Sequence, residues 1–529
     1  MLSTKLKEAA GNSADATLYV DDVFCTYLYT GNGSTQTITN GIDLAGKGGL
    51  VWTKVRTTTY PHCLTDTIRG GNKQLFSNTT DASITSSPAE ISSFNSDGYT
   101  LAGNTIENWS GQNFVGWTFR EAAKFFDVVT WTGNGSARTI AHSLGVAPGM
   151  IIVKRTDTSS DWQVYHRSLT SAAYSTQLNL NNAQASAPTV WNSTAPTSSV
   201  FSVGTDATVN ASGGTYVAYL YAHDTSSTGI IQCGSFTTNS STDSFVSLGW
   251  QPQYVLVKNT AVGGWILCDS MRGMPVGSAD AYLMPNSANA ESTSNDYINP
   301  SATGFYPTWF NLNTTSTYIY MAIRMPNKPP TTGTQVFLPA TRAGTGATAT
   351  TSNLSFPLDM VWSKGRDNGG TNSGDFDRLR GATYQLSLNQ ADGDISASTS
   401  LTGFDVMTGY RAGADAVQLT INATGYNYIN WNFKRAPGFF DEVCYTGTGS
   451  ATTQAHNLTV VPEMILINCR SNPRNWPVYT GNKSSYLYLN LTDSQVTGDT
   501  AIWSNTAPTS TNFSLGTYST NNASITLPS

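Results

Sequence analysis

Several short spacings in this chain bring chemistry-bearing side chains together. Asp-x-x-Arg-Gly occurs at Asp66/Arg69/Gly70, Asp269/Arg272/Gly273 and Asp377/Arg380/Gly381. A carboxylate and a guanidinium at that spacing can grip a sugar hydroxyl or a carboxylate. The same residues can also form an ion-paired turn in which glycine supplies a positive φ. Recurrence in three places favours the turn, because an architecture repeats and a single active site does not. A second pattern is Leu-x-x-Asn with an Asp, Gln or Asn three residues on: Leu75/Asn78/Asp81, Leu178/Asn181/Gln184, Leu283/Asn286/Asn289, Leu386/Asn389/Asp392 and Leu487/Asn490/Asp493. Calcium takes about six to eight oxygen ligands and this pattern offers two, so turn-forming Asn is the stronger reading. No metal and no other cofactor is expected.

Aromatic residues flanked by polar ones form the third group. They are Trp162, Tyr165 and His166 in "DWQVYHR", Trp265 in "GGWILCD", and Trp476 and Tyr479 in "NWPVY". Flat aromatic faces beside polar groups can stack on sugar rings, which makes these six the candidate carbohydrate-binding residues. Large aromatics also dominate the packing of β-sheets, and packing is the stronger reading. Of the five histidines, His142 and His456 precede an apolar strand in equivalent places and read as hydrogen-bonded strand ends. "GNGSARTIAHSLG" resembles a phosphate loop only superficially, since no helix follows to supply its N-terminus. No HExxH, GxSxG, Walker or paired-cysteine motif occurs, and no catalytic residue is assigned. The protein is not expected to be an enzyme.

The elements that position these residues repeat. Apolar stretches end in "LVWTK" at Lys54, "MIIVK" at Lys154, "YVLVK" at Lys258, "MVWSK" at Lys364 and "MILIN" at Asn468, spaced by 100, 104, 106 and 104 residues. Four copies close on an aromatic-rich strand: "FVGWTFR", "YVAYLYAHD", "YIYMAIR" and "YINWNFK". The fifth reaches "NNASITLPS" where such a strand is due, so either more chain follows or a neighbouring subunit supplies the strand. A longer period lies above the short one: "WNSTAPTSSVFSVG" from Trp191 returns as "WSNTAPTSTNFSLG" from Trp503. The units therefore read A, B, C, A, B. Runs rich in Val, Tyr and Ile, punctuated by "TGNGS"-type turns, indicate strands, and this spacing indicates two-sheet sandwiches.

The predicted architecture is all-β: a tandem array of five β-sandwich domains with jelly-roll or concanavalin-like strand order. The units span 22–126, 127–226, 227–330, 331–437 and an incomplete 438–529, after a docking arm over 1–21 whose "TKLKEAA" alone has helical composition. Charged residues make up 12% of the chain's 529 residues, against a usual share of about a quarter. With 11% aromatics the chain can still bury a core, so folded structure is expected. A net charge of −6 without basic clusters argues against nucleic-acid binding. No apolar run is long enough to span a bilayer, so membrane insertion is not expected. No secretory signal opens the chain, so the six scattered cysteines read as reduced.

The stretches "LYVDDVFCTYLYTGNGSTQTITNGIDLAGKGGLVWTK", "FNSDGYTL", "WTFREAAKFFDVVTWTGNGSARTIAHSLGVAPGMIIVKR" and "TYVAYLYAHD" resemble repeats of virion structural and tail fibre proteins of tailed bacteriophages, those of marine podoviruses and siphoviruses foremost. The resemblance is dense over the first three units and looser over the last two. It implies a virion location, assembly in the host cytoplasm and a concanavalin-like sandwich, and it carries over no site residue. The expected function is a non-catalytic tail fibre or appendage that attaches to the host surface. The expected partners are other tail proteins through the arm, a host glycan or protein, and further copies in a homotrimer. A polysaccharide-degrading tailspike and a capsid or tail decoration protein are the alternatives. A glycosidase needs two carboxylates roughly 5 to 10 Å apart, and no such pair stands out among the 34 acidic residues.

Overall fold

The computed structural model describes residues 17–103, 105–238, 245–308, 310, 315–351, 354–367 and 369–523. Four six-stranded antiparallel sheets share one relative order. In the first unit the opening strand Phe24–Thr30 pairs with the closing strand Asn113–Arg120, which pairs with Gly49–Val55. From there Cys63–Asp66, Lys73–Phe76 and Ile84–Thr85 follow as a meander. The closing strands Thr215–Ala222, Ser316–Arg324 and Asn427–Phe433 hold the same place in the second, third and fourth units. In each of these four units the last strand is thus inserted between the first strand and the landmark strand, the apolar one that carries Lys54, Lys154, Lys258 or Lys364.

A smaller sheet faces each large one. In the first unit it comprises Gln36–Thr39, Ile91–Asn95 and Gly98–Leu101. Ile38, Ile91, Tyr99 and Leu101 from it pack with Val51, Val55 and Phe114 of the large sheet. Residues of opposite parity on the large sheet, Leu50, Trp52, Val115, Trp117 and Phe119, point away from that sandwich and into a second core. The period-2 geometry of a strand thereby gives the large sheets of the first three units two buried faces.

The second core joins three units. It holds Trp52 and Trp117 of the first, Ile152 and Tyr219 of the second, and Leu256 and Met321 of the third in one continuous cluster. The first three units thus share this core in addition to the sandwich cores that units one and three keep for themselves. The reason is legible in "YVAYLYA": a strand buried on both faces needs an unbroken apolar run, and Tyr216–Ala222 is wholly buried.

The end of the expected arm that is described packs on the body. Val20 is fully buried in the shared core. Val20 N–H donates to Asn327 Oδ1 at 2.9 Å, while Asp21 Oδ2 accepts from the backbone of Asn327 and Lys328 at 2.9 and 3.0 Å. This end of the arm is thus tied into the body, beside the link between units three and four. The helix-like "TKLKEAA" lies outside the described residues. None of the described helices is long and apolar enough to cross a membrane.

Candidate functional site

The position four residues before the Asp of Asp-x-x-Arg-Gly is His62 in the first unit and Trp265 in the third; in the second unit, where His166 stands in place of the Asp, it is Trp162. It lies where the second meander strand begins, and that is where one unit meets the next. Trp162 Nε1 donates to the carbonyls of Phe76 and Thr79 in the first unit, at 3.0 and 3.2 Å. Trp265 Nε1 donates to the Gln177 carbonyl of the second unit at 2.9 Å. The first unit meets the third at the corresponding place: Ser77 Oγ donates to the Pro285 carbonyl at 2.6 Å, and Tyr60 N–H to Ala288 at 2.8 Å. Unit two docks on one, three on two, and one on three. A head-to-tail contact repeated this way closes a ring.

Two further residue types close the same seams. Lys154 and Lys258, each ending its landmark strand, donate from Nζ to Thr80 and Asn182 carbonyls of the preceding unit, both at 2.9 Å. Burial lowers each ammonium from 10.5 to about 8, so it remains a cation at neutral pH. The closing strands contribute the rest. Tyr219 of unit two donates its hydroxyl to Asp66 Oδ2 of unit one at 2.9 Å and accepts from Arg69 at 3.0 Å. Trp117 of unit one donates to Asp269 Oδ2 of unit three at 3.0 Å. His166 Nε2 faces the Tyr320 carbonyl of unit three at 3.0 Å, while its Nδ1 accepts from Ser168 N–H. That pairing requires a neutral imidazole protonated on Nε2, and burial holds its pKa down at about 4.

Asp66 and Asp269 of the Asp-x-x-Arg-Gly turns are thus receptors in this ring, and the third turn lies in unit four. In each, the aspartate accepts from the backbone N–H and the Nε of its own arginine: Asp66/Arg69, Asp269/Arg272 and Asp377/Arg380. Gly70, Gly273 and Gly381 have φ of 96°, 127° and 93°, the left-handed region that favours glycine. The turn reading therefore holds, and the turn adds a capping contact from the neighbouring closing strand that the spacing alone does not reveal.

The candidate sugar platforms are corrected. Trp162, Tyr165, His166, Trp265, Trp476 and Tyr479 are all buried, so none offers a face to a ligand. Tyr165 packs edge-on against Trp191, and Tyr479 against Trp503. Trp476 Nε1 donates to the Ser387 carbonyl of unit four at 3.1 Å, repeating between units four and five the seam between two and one. The recurring Asn is part of the same device: Asn286, Asn389 and Asn490 accept from the backbone N–H of residues 265, 373 and 476. In unit two the role falls to Asn179, two residues before the Asn181 of the sequence pattern. His142 and His456 each meet a loop carbonyl, Thr197 and Thr509, and accept at Nδ1 from Leu144 and Leu458 N–H. Among the described residues no cluster of three or more His, Cys, Asp or Glu is placed to hold a metal, and all six cysteines are unpaired.

Two features were missed by sequence reasoning. Glu90 and Glu107 of unit one are buried together, with Glu107 N–H 3.4 Å from Glu90 Oε2. Burial, then the Glu90 charge, raises Glu107 from 4.5 to about 7. Gln74 donates to Glu107 Oε1 at 2.8 Å and its Oε2 has no partner. The two lie seventeen positions apart in the chain, and no periodic signal marks them. The second is a cavity of about 330 Å³ between units one, three and four, bordered by Cys25, Met271, Met325, Arg378 and Arg435. Its arginines are already engaged: Arg378 with the Leu358 and Phe404 carbonyls at 2.6 and 3.0 Å, Arg435 with Asp441 and Gln251. Burial pushes the Cys25 thiol up to about 12, away from nucleophilic use.

Comparison with known proteins bears on the ring as a unit. No curated protein matches the chain. A family model described as a domain of unknown function, DUF7483, matches residues 20–326 and again 332–527. The first match spans the three units that share one core, so the family's repeating module corresponds to the ring and not to a single two-sheet unit. The chain belongs to the DUF7483 family and carries that domain twice.

Proposed function

We propose that the chain is a non-catalytic structural protein of a tailed-phage virion, a tail fibre or tail appendage that presents surface to the host cell. The observation that carries this reading is the use of the chemistry-bearing motifs: Asp-x-x-Arg-Gly, the docking tryptophans and His166 all face other parts of the same chain. Polar, hydroxyl- and amide-rich loops are left outside, as suits a rigid body with a binding surface. The resemblance to phage virion repeats gives the location. In this reading five concanavalin-like sandwiches make up the chain, other tail proteins hold it through its N-terminal arm, and a host glycan or protein is met at the loops. One chain already builds a three-unit ring, so the reading does not require a homotrimer to produce a three-fold body. Glu90 and Glu107 do not favour the tailspike alternative, since both carboxylates are buried within unit one and Glu107 is held by Gln74.

Two measurements test the reading. Antibody against this chain should label the tails of virions that carry it, and labelling of the capsid alone would move it to the decoration class. Incubation with host envelope polysaccharide should release no oligosaccharide; reproducible chain cleavage would make it a tailspike enzyme.

A further inference from the structure

Two aromatic side chains of unit one stand where the repeat carries small ones. Asn108 fastens the loop before the closing strand: its Oδ1 accepts from Asn32 N–H at 2.9 Å, and its Nδ2 donates to the carbonyls of Ser34 and, at 3.2 Å, Ala102. Asn210 of unit two bonds in the same way to Asn134, Ser136 and Gly204, and Asn422 of unit four to Thr345, Ala347 and Gly413. A glycine (Gly31, Gly133 or Gly344) makes room for the carbonyl of the residue after this asparagine. That residue is Ala211 in unit two and Ala423 in unit four, but Trp109 in unit one. Tyr60 is the parallel case. Its N–H donates to the Ala288 carbonyl across the seam at 2.8 Å, as Ser160 N–H does to Thr80 at 2.7 Å and Gly263 N–H to Asn181 at 2.8 Å. Loop and seam form equally with Ala, Ser or Gly at these two positions, so neither ring is required by the fold.

The two rings nevertheless meet at the surface. Trp109 is 52% exposed, whereas the other described tryptophans are buried or half-buried. Tyr60 meets it edge to face, with ring centroids 6.4 Å apart and planes at 73°, so the pair forms a corner and not a flat apolar patch. An indole left in water forfeits the burial that large aromatics ordinarily gain. Thr57 lies three residues before Tyr60, and Gln112 three after Trp109. Thr57 Oγ1 donates to Gln112 Oε1 at 2.7 Å, which sets a hydroxyl and an amide on the same lip. The cations nearby in the chain are already engaged. Arg56 is held by Glu291 and Asp405 at 2.7 and 3.0 Å, and Lys54 Nζ donates to the Val55 carbonyl at 2.6 Å.

We propose that Trp109 and Tyr60 form a binding platform for a neutral hexose unit of a polysaccharide, whose C–H face stacks on the indole while Thr57 and Gln112 bond its hydroxyls. A hexose ring presents a face of C–H bonds and a rim of hydroxyls, each both donor and acceptor. It therefore matches an exposed aromatic face edged by a neutral hydroxyl and a neutral amide. An acidic sugar or a phosphate would call for a free cation, and Arg56 and Lys54 are both taken up. The bonds of Asn108 hold the loop in place before any ligand arrives, so little freedom is lost on binding. The inference rests on the reading that the outer loops meet a host glycan, and it names the place and the class of sugar.

The test is affinity electrophoresis of the full chain through gels that contain dextran, mannan, galactan or, as the anionic probe, alginate. At least one neutral polymer should retard the chain. Trp109→Ala should lower that affinity at least about ten-fold, and Tyr60→Ser by about three-fold. Both substitutions install residues that unit two carries at these places, so the melting temperature should stay within about 2 °C of the parent. Val417→Ala, at an exposed apolar residue of unit four, should bind as the parent does. Retardation that survives Trp109→Ala unchanged would put the glycan elsewhere and overturn the proposal, while the wider reading stands. Failure of every neutral polymer, or retardation by alginate alone, also overturns it, and the tail location is then judged by antibody labelling. An oligomer that light scattering finds in the parent and not in Trp109→Ala would show a second copy covering the rings, and would overturn the sugar named here.

Discussion

At the scale of single residues, the side chains that look chemical are mostly structural, and their neighbours explain why. Asp66 and Arg69 were legible as an ion-paired turn because spacing and glycine are local. Their cap, Tyr219, lies 153 residues away and follows only from the fold. Glu107 left no trace in the sequence, yet it yields a definite pH dependence. Its folded pKa of about 7 lies above the ordinary 4.5, so its contribution to stability is full below that ordinary value and is lost as pH rises to 7. The loss amounts to about 3 kcal/mol at most. Glu107→Gln keeps an oxygen for the Gln74 amide and removes the charge. The variant should gain stability over the parent at pH 8 and little at pH 4, read as the difference in urea midpoints. An equal difference at both pH values would show that Glu107 titrates normally.

Elements carry the next lesson. Apolar runs and turn residues made the strands and their repeat readable, and "YVAYLYA" carried in its unbroken apolar pattern the burial of both faces. What the pattern could not convey is which surface covers the second face, since a buried tryptophan and a ligand-stacking tryptophan have the same composition around them. Trp162 and Trp265 were ambiguous for that reason, and their indole N–H partners in the neighbouring unit decide it. The N-terminal arm divides in the same way. Val20 and Asp21 clasp the segment near Asn327, whereas residues 1–16 lie outside the described part. Replacing Val20 by alanine together with Asp21 by asparagine should lower the melting temperature by several degrees, as loss of buried apolar volume and of a hydrogen-bonded carboxylate requires. An unchanged melting temperature would show that the clasp contributes nothing.

For the whole molecule, the central claim is that the first three units are one cooperative body, closed by seams that run two on one, three on two and one on three. The continuous core and the family match over 20–326 both describe this body. Hydrogen exchange on the full chain carrying Trp265→Ala tests it most directly. Removing this indole opens the seam between units two and three and leaves a cavity, at a cost of about 3 to 5 kcal/mol. If the ring is one cooperative unit, protection should fall together in the closing strands Asn113–Arg120, Thr215–Ala222 and Ser316–Arg324. A loss of protection confined to Ser316–Arg324, with the other two closing strands exchanging as in the parent, would contradict the account and return the units to independent sandwiches on a string.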